Sequence, residues 1–265
     1  MNNKQAITDN KNVQFNLAKI ACSRIISRLA LDKELNMRLD KFICKSTELT
    51  RTEAKRLLKS GKVRVNGEIS KDAAMQVHEN NEITVEGQNL IARQSRYIML
   101  HKPLDTICSN VDEGYPSLFH LIDVDKAFDM HVAGRLDADT TGLVLITDDG
   151  RWSHNIISPK KQCEKVYRVW LRDNIKVGSA EKFKVGVQLQ GEKSLTLPAK
   201  LTVVSEKEVL LTITEGKYHQ VKRMFAAIGN KVVGLHREQI GQIKLAELPL
   251  GEWRYLTEEE VSEFI

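Results

Sequence analysis

A short loop in this chain places acidic side chains immediately before an apolar segment. The loop reads Gly134-Arg135-Leu136-Asp137-Ala138-Asp139-Thr140-Thr141-Gly142, and the apolar run Leu143-Val144-Leu145-Ile146 follows it. A continuous apolar run is typical of a buried strand, and loops at the ends of such strands often carry functional groups. A carboxylate presented there can act as a nucleophile or as a base. The loop is therefore the first candidate for a catalytic segment, and a plain turn capped by Asp137 is the simplest alternative.

The same loop also has part of the ligand spacing of a calcium-binding EF-hand. Positions 1, 3, 5, 6 and 12 of that motif fall on Asp137, Asp139, Thr141, Gly142 and Asp148. Position 12 is an aspartate instead of the bidentate glutamate, and the residues from Leu143 onward have a strand pattern where the motif requires a loop and a helix. Calcium binding is therefore the weakest interpretation, and we predict no metal site.

Two further segments supply an aromatic group and a cluster of cations. Residues 162–169 place Tyr167 in a strand-like, basic setting, and residues 215–224 lead from a turn into a helix. The free N–H groups at a helix start, together with Lys217, Lys222 and Arg223, would form an anion site. Each segment also has a simpler interpretation: Tyr167 is a core residue, and the basic side chains lie on a solvated helix face.

The composition narrows the class of protein. The 265 residues are enough for two domains, and 42% are hydrophobic and 28% charged, with a formal net charge of +5. The sequence contains no apolar run near the roughly 18 residues that a membrane helix needs. The four cysteines include no Cys-x-x-Cys pair, so the pattern indicates reduced thiols and a cytoplasmic location instead of a disulfide framework or a cysteine zinc site.

Positive charge is concentrated in three stretches. Residues 51–64 hold six basic residues and one acidic residue, residues 151–168 hold five and one, and residues 216–237 hold five and none. Such clusters on an otherwise acidic chain favour a polyanionic partner, although solvated lysine-rich helix faces are equally common.

Local signals divide the chain into segments. Residues 1–36 are a weakly patterned N-terminal extension, for which a short extra helix on the first domain is the alternative. Residues 37–88 show two helices and small strands, with a capping box at Thr50 and Glu53 and a turn at Asn66-Gly67. The second helix buries apolar residues and carries Arg51, Lys55 and Lys59 as a basic stripe.

The remainder predicts a linker over 89–96 and an α+β domain over 97–265. Strand patterns occur at 97–100, 143–147, 203–204 and 209–214, and helix patterns at 149–158 and 221–228. We expect a mixed, mostly antiparallel sheet flanked by helices.

The first module resembles the small αL-type RNA-binding domain found in ribosomal proteins, tyrosyl-tRNA synthetases and RNA-modifying enzymes. The resemblance depends on Arg38-Leu39-Asp40-Lys41-Phe42, on the basic helix over 51–60, and on Gly61-Lys62-Val63-Arg64-Val65-Asn66-Gly67.

The second domain resembles the pseudouridine synthases of bacterial ribosomal RNA, and in particular the branch that modifies small-subunit rRNA. The resemblance covers residues 97–257 and depends on the loop over 133–143, on Asp148-Asp149-Gly150-Arg151-Trp152-Ser153-His154, and on the segments around Tyr167 and Lys222. One departure is His101-Lys102-Pro103-Leu104-Asp105, where the family usually has Asn first and Gly last.

The resemblance implies a role for each residue. Asp137 would be the catalytic nucleophile, Tyr167 the aromatic residue that stacks on the target uracil, and Lys222 the cation that pairs with Asp137. Residues expected to contact RNA are Arg38, Arg51, Lys55, Arg56, Lys59, Arg64, Arg135, Lys165, Lys217, His219 and Arg223. The isomerisation requires a base flipped out of its stack and no cofactor.

The expected partner is small-subunit rRNA, or a partly assembled small subunit, bound by a monomer and without a membrane. The alternative is a non-catalytic RNA-binding assembly factor that uses the same basic surfaces. Such a factor would have no chemical need for Asp137, Tyr167 and Lys222 together, so the enzyme is the preferred hypothesis.

Overall fold

The structure, a computed structural model, describes residues 37–78 and 80–265. The interpretations of residues 1–36 lie outside the described residues. The chain divides after Gln94 into two compact units. Over the described ranges, no helix is long and apolar enough to cross a membrane.

Within residues 37–78 and 80–94, the first unit contains two helices and six short strands. In chain order these are β1 (Met37–Arg38), α1 (Leu39–Ser46), α2 (Arg51–Lys59), β2 (Val63–Val65), β3 (Glu68–Ile69), β4 (Gln76–Val77), β5 (Ile83–Val85) and β6 (Gln88–Asn89). Strand β1 pairs with β4, and a second sheet has the order β3-β2-β5-β6. The helices and the sheet bury a shared core that includes Leu39, Ile43, Ala54, Leu58 and Ile83.

Two local predictions in this unit are confirmed. The capping box forms at the start of α2, where the side chains of Thr50 and Glu53 each accept a hydrogen bond from the other residue's backbone N–H. The turn between β2 and β3 has both Asn66 and Gly67 at positive φ, 51° and 84°. A two-residue turn of this hand matches the twist of a hairpin, which explains why the Asn-Gly pair predicts it.

The first part of the segment expected as a linker, residues 89–96, packs onto the first unit. Asn89 pairs with Thr84 in the sheet, Leu90 donates its backbone N–H to Ile83, and Arg93 donates to the carbonyl of Lys45. The cause is a second tight hairpin turn at residues 86–87, which returns the chain onto β5.

The second unit is built on a nine-stranded sheet. Its elements are β7 (Tyr97–Lys102), β8 (His131–Ala133), β9 (Thr141–Thr147), α3 (Gly150–Ile157), β10 (Lys165–Leu171), α4 (Ser179–Val185), β11 (Lys200–Ser205), β12 (Glu208–Ile213), α5 (Gln220–Ala227), β13 (Val232–Ile240), β14 (Ile243–Lys244), β15 (Trp253–Tyr255) and α6 (Glu258–Ser262). The order is β11-β12-β10-β13-β9-β7-β15, with β8 on β9 and β14 on β13. Only the β9–β13 pair is parallel among these pairs, so the prediction of a mixed, mostly antiparallel sheet is confirmed.

The parallel pair joins the two halves of the sheet over only two residues. Thr141 and Gly142 of β9 lie opposite His236 and Arg237 of β13. Gly142 has a φ of +119°, and a Cβ atom there would collide with the Arg237 backbone. A glycine is therefore required at this junction. Because Thr141 already begins a strand, the segment cannot form an EF-hand loop, and the calcium interpretation is wrong.

The helices start and stop close to where the sequence predicts. Asp149 caps α3 by accepting from the N–H groups of Arg151 and Trp152, and Pro159 follows its end. Helix α5 turns Val221, Met224 and Phe225 into the core and ends before Gly229, whose φ is +77°. The sheet thereby carries the loop of Asp137 before β9, Tyr167 within β10 and Lys222 within α5.

Candidate active site

Asp137 lies in an ion-pair cluster with three neighbouring side chains. The Lys222 ammonium donates to Asp137 Oδ2 at 2.9 Å and to Asp139 Oδ1 at 2.5 Å, and His219 Nε2 lies 3.4 Å from Asp137 Oδ1. The Asp137 side chain is 30% exposed and that of Lys222 is 25% exposed. The carboxylate is therefore reachable from solvent while a cation holds it.

The charges of this cluster stabilise one another. Burial opposes the positive charge of Lys222, but the hydrogen bonds that the ammonium donates to Asp139 and Asp137 outweigh burial and raise the pKa of the ammonium. Burial likewise opposes the charge of Asp139, and the Lys222 hydrogen bond overcomes it and lowers the pKa of that carboxyl. Lys222 is thus held as a cation.

Tyr167 is buried in the middle of β10, and its hydroxyl is fixed by an arginine that sequence reasoning missed. The Tyr167 side chain is 7% exposed. Arg237 Nη1 donates to the Tyr167 hydroxyl oxygen at 3.3 Å, and the guanidinium carbon lies 5.8 Å from the centre of the ring. Arg237 lies opposite Tyr167 in the register of β10 and β13. The sheet therefore places the two side chains together.

Two buried cations hold the loop that carries Asp137. Arg237 Nη2 donates to the carbonyl of Gly134 at 2.7 Å, and its Nε donates to the carbonyl of Leu143 at 2.8 Å. Lys102 is fully buried, and its ammonium donates to the carbonyls of Thr140 at 2.9 Å and Ala138 at 3.4 Å. The loop backbone is fixed on both sides of Asp137. Arg237 also connects this loop to Tyr167.

The segment 101–105, which departs from the usual family sequence, contributes further hydrogen bonds to this region. Asp105 has a φ of +57°, a left-handed conformation that a glycine adopts readily and that aspartate tolerates better than most residues. Its backbone N–H donates to the carbonyl of Ala138 at 3.0 Å. His101, at the usual asparagine position, accepts or donates through Nδ1 at the carbonyl of Leu248.

At the start of α5, where the sequence predicts an anion site, the basic side chains contact acidic groups and carbonyls of the chain itself. Lys217 Nζ lies 3.7 Å from Glu192, and Arg223 contacts Glu192 at 3.2 Å and the carbonyl of Gln190 at 2.6 Å. Lys222 faces Asp137. These cations are neutralised by acidic groups or bound to carbonyls, because the chain before α5 packs against the 190–192 loop.

Lys165 cannot serve as the predicted RNA contact. Its side chain is buried, and the ammonium donates to the carbonyls of Ile156 at 3.0 Å and Cys163 at 2.9 Å. Burial lowers the pKa of this lysine. Its place in β10 is the physical reason, since the alternation of a strand puts Lys165 on the same face as the buried Tyr167 and Val169.

The remaining predicted RNA contacts divide into two groups. Arg38 and Arg51 both donate to Asp40, whose side chain is fully buried, and Arg64 donates to the carbonyl of Gly67. The other group comprises Lys55, Arg56, Lys59 and Arg135, which are exposed, as are Arg51 and Arg64 of the first group. Among the described residues, none forms an ion pair with Lys55 or Lys59.

Matches to known families place this chain among the pseudouridylate synthases, which are RNA-modifying isomerases. Residues 96–227 match the RNA pseudouridylate synthase family, and residues 37–83 match the S4 domain family. A crystal structure of a pseudouridylate synthase is 47% identical, covers 86% of this chain and all of the other, and superimposes with a TM-score of 0.64.

Curated relatives narrow the class further. The ribosomal small subunit pseudouridine synthase A of Vibrio cholerae is 57% identical over 85% of this chain and 98% of its own length. The protein of the same name from Escherichia coli is 49% identical over 86% of this chain and 100% of its own length. The chain belongs to the ribosomal small subunit pseudouridine synthase A family. This membership supports the enzyme hypothesis and not the non-catalytic alternative.

Proposed function

We propose that this chain converts a specific uridine of small-subunit rRNA to pseudouridine, with Asp137 as the nucleophile. The observation that carries the proposal is the ion pair of Asp137 with Lys222, on a loop whose backbone is fixed by Arg237 and Lys102. A nucleophile held in one geometry avoids the cost of ordering it during the reaction.

The reaction breaks the bond between ribose C1′ and uracil N1 and forms a bond between C1′ and uracil C5. The C5 proton is lost and N1 gains a proton, so the product is an isomer and no external reactant is needed. Asp137 attacks while its ion pair with Lys222 holds the carboxylate in place. The uridine must leave its stack to reach the loop.

Tyr167 stacks on the flipped uracil and assists removal of the C5 proton. Its hydroxyl is oriented by Arg237, which donates to the phenol oxygen. This hydrogen bond holds the phenol oxygen, which assists removal of the C5 proton, in one position. His219, 3.4 Å from Asp137, and the exposed Arg135 contact the RNA around the target nucleotide.

The first unit anchors the RNA through phosphates. Lys55, Arg56 and Lys59 lie exposed on α2, which is the arrangement that a phosphate backbone contacts. The chain acts as a monomer in the cytoplasm, either on rRNA or on a partly assembled small subunit.

Release of tritium from RNA labelled at uridine C5 tests the assignment of the nucleophile. Asp137→Asn is nearly isosteric but cannot ionise, so tritium release should fall about 10⁴-fold or more while RNA affinity is retained. The matched control is Asp139→Asn, because Asp139 also contacts Lys222 but is 72% exposed, and it should keep most of the activity. An active Asp137→Asn enzyme would contradict the proposal.

The role of the Tyr167 hydroxyl has its own test. Tyr167→Phe keeps the ring, so RNA binding should persist while turnover falls about 10²-fold or more through loss of proton transfer. Turnover at the wild-type rate would leave stacking as the only role. Mapping pseudouridines in rRNA from cells with and without the protein identifies the target nucleotide.

A further inference from the structure

Tyr218 presents an open aromatic ring directly beside the candidate active site. Its side chain is 76% exposed, which makes it the most exposed of the five tyrosines. The ring stacks on the imidazole of His219, with 3.8 Å between ring centres and 21° between planes. His219 in turn contacts Asp137. A continuous arrangement therefore runs from the reactive carboxylate through an imidazole to an exposed aromatic ring.

The backbone of this pair is fixed before any RNA binds. His219 has a φ of +47°, which is uncommon outside glycine and is maintained only where neighbours hold it. Arg223 provides such a hold, because its Nη1 donates to the carbonyl of Tyr218 at 3.0 Å and its Nη2 donates to the carbonyl of Gln190. A rigid aromatic ring loses little conformational freedom on binding.

Exposure alone would not assign a role, because single exposed apolar residues are common on protein surfaces. Phe128, for example, is 43% exposed, but it contacts Phe119 and His120 and precedes β8, which pairs with the end of β9 remote from Asp137. Tyr218 differs in being about three-quarters exposed and in stacking on a residue that contacts Asp137.

We propose that Tyr218 is a stacking platform for the nucleobase adjacent to the target uridine. This inference rests on the proposed function, since extraction of a uridine leaves its neighbour without a stacking partner. Unpaired bases in RNA are commonly received by aromatic side chains, and stacking tolerates any base because each has a π face. The buried Tyr167 receives the flipped uracil, and Tyr218 replaces the stacking that the neighbouring base has lost.

The RNA affinity of Tyr218 variants tests the stacking platform. In an Asp137→Asn background, which prevents turnover, Tyr218→Ala should weaken binding of a target-containing RNA about 5- to 150-fold. Tyr218→Phe should bind like its parent because the ring remains. Phe128→Ala removes a comparably apolar ring at the other end of β9 and should leave affinity unchanged, and thermal melting checks that each variant is folded.

Two versions of the same RNA, each with one abasic nucleotide on a different side of the target, separate loss of stacking from other causes of weaker RNA binding. When the missing base is the one that stacks on Tyr218, the RNA should bind the Asp137→Asn parent more weakly than intact RNA does, by about the factor that Tyr218→Ala causes. With that abasic RNA, Tyr218→Ala should cause no further loss of affinity. Equal losses from Tyr218→Ala on intact RNA and on both abasic RNAs would overturn the inference, as would an unchanged affinity.

A pseudouridine assay with the wild-type chain distinguishes this failure from failure of the proposed function. If the wild-type chain forms pseudouridine but the abasic series shows no coupling to Tyr218, only the stacking platform is wrong. If the wild-type chain forms no pseudouridine, the proposed function and the platform are both overturned.

Discussion

Basic residues are clustered both on α2 and near α5, but their surroundings differ: those of α2 are exposed to solvent, and those near α5 contact acidic groups and carbonyls. On α2, Lys55 and Lys59 point into solvent. Near α5, Lys222 lies between two aspartates and Arg223 is bound to Glu192 and to backbone carbonyls. Arg237, at the end of the same basic stretch, is buried.

This difference separates two uses of positive charge. A solvated lysine attracts phosphates over a distance and releases counterions on contact, so it contributes to affinity. A cation bound to carboxylates or carbonyls instead fixes the geometry of the groups around it. The first unit therefore has charge available for RNA, and the second unit uses most of the charge in residues 216–237 to build its site.

Replacement of Lys222 should give the largest effect. Lys222→Met removes the cation from both Asp137 and Asp139, so turnover should fall about 10²- to 10³-fold. RNA affinity should stay within about twofold, because this lysine is not available to phosphates. Single-turnover kinetics and filter binding measure the two effects separately. If Lys222→Met lowered only RNA affinity, Lys222 would contribute to RNA binding as the α2 lysines are expected to do, and the distinction between the two groups of cations would be wrong.

Replacement of Arg237 should act through geometry. Arg237→Lys retains a cation but cannot reach Gly134, Leu143 and Tyr167 together, and small misplacements of reacting groups cost about 10²-fold in turnover. Arg237→Met leaves buried carbonyls without donors, at about 1 to 3 kcal/mol of unfolding free energy for each. Turnover at saturating RNA, with urea unfolding as the stability control, checks both. Wild-type turnover in a folded Arg237→Lys variant would contradict the positioning role.

Charge reversal on α2 should change affinity and leave chemistry intact. With Lys55→Glu and Lys59→Glu combined, the slope of log K against log salt should fall by roughly 1.4 to 1.8 units if both lysines contact phosphates. Arg51 is left unchanged because it holds Asp40. The matched control reverses Lys182 and Lys184, which are exposed on α4 of the second unit. Equal salt slopes for the two double variants would mean that α2 is only a solvated face.

The smallest effect should come from Asp40, the acidic residue that binds Arg38 and Arg51. Burial disfavours the negative charge of Asp40, but the hydrogen bonds and positive charges of Arg38 and Arg51 outweigh burial and lower the pKa of the Asp40 carboxyl. The stabilisation is therefore complete above the unfolded value near 3.9 and is lost as pH falls through the lower folded value. Asp40→Asn should cost about 1 to 3 kcal/mol at pH 7 by urea unfolding. The prediction would be contradicted if the difference in unfolding free energy between the wild type and Asp40→Asn grew as the pH fell.

Local structure could be predicted because local signals determine it. The capping box at Thr50, the Asn66-Gly67 turn and the apolar run of β9 each depend on neighbours in sequence. The pairing of Asp137 with Lys222 came from the family resemblance, since the two residues are 85 positions apart and no local rule joins them.

The buried cations were missed, although the sequence contains a signal for them. Lys102, Lys165 and Arg237 each lie two residues from an apolar or aromatic core residue of the same strand, namely Leu100, Tyr167 and Leu235. The alternation of a strand puts such pairs on one face, so a charged residue in core register marks a buried donor. The family resemblance instead led to the expectation that Lys165 contacts RNA.

The two-residue contact between β9 and β13 has a consequence for synthesis of the protein on the ribosome. Arg237 reaches back 103 positions to Gly134, so the growing chain cannot complete the catalytic loop until β13 has emerged. The first unit closes its own sheets within the first 94 residues and can fold much earlier. A nascent chain therefore completes α2 and its exposed lysines well before it completes the loop that carries Asp137.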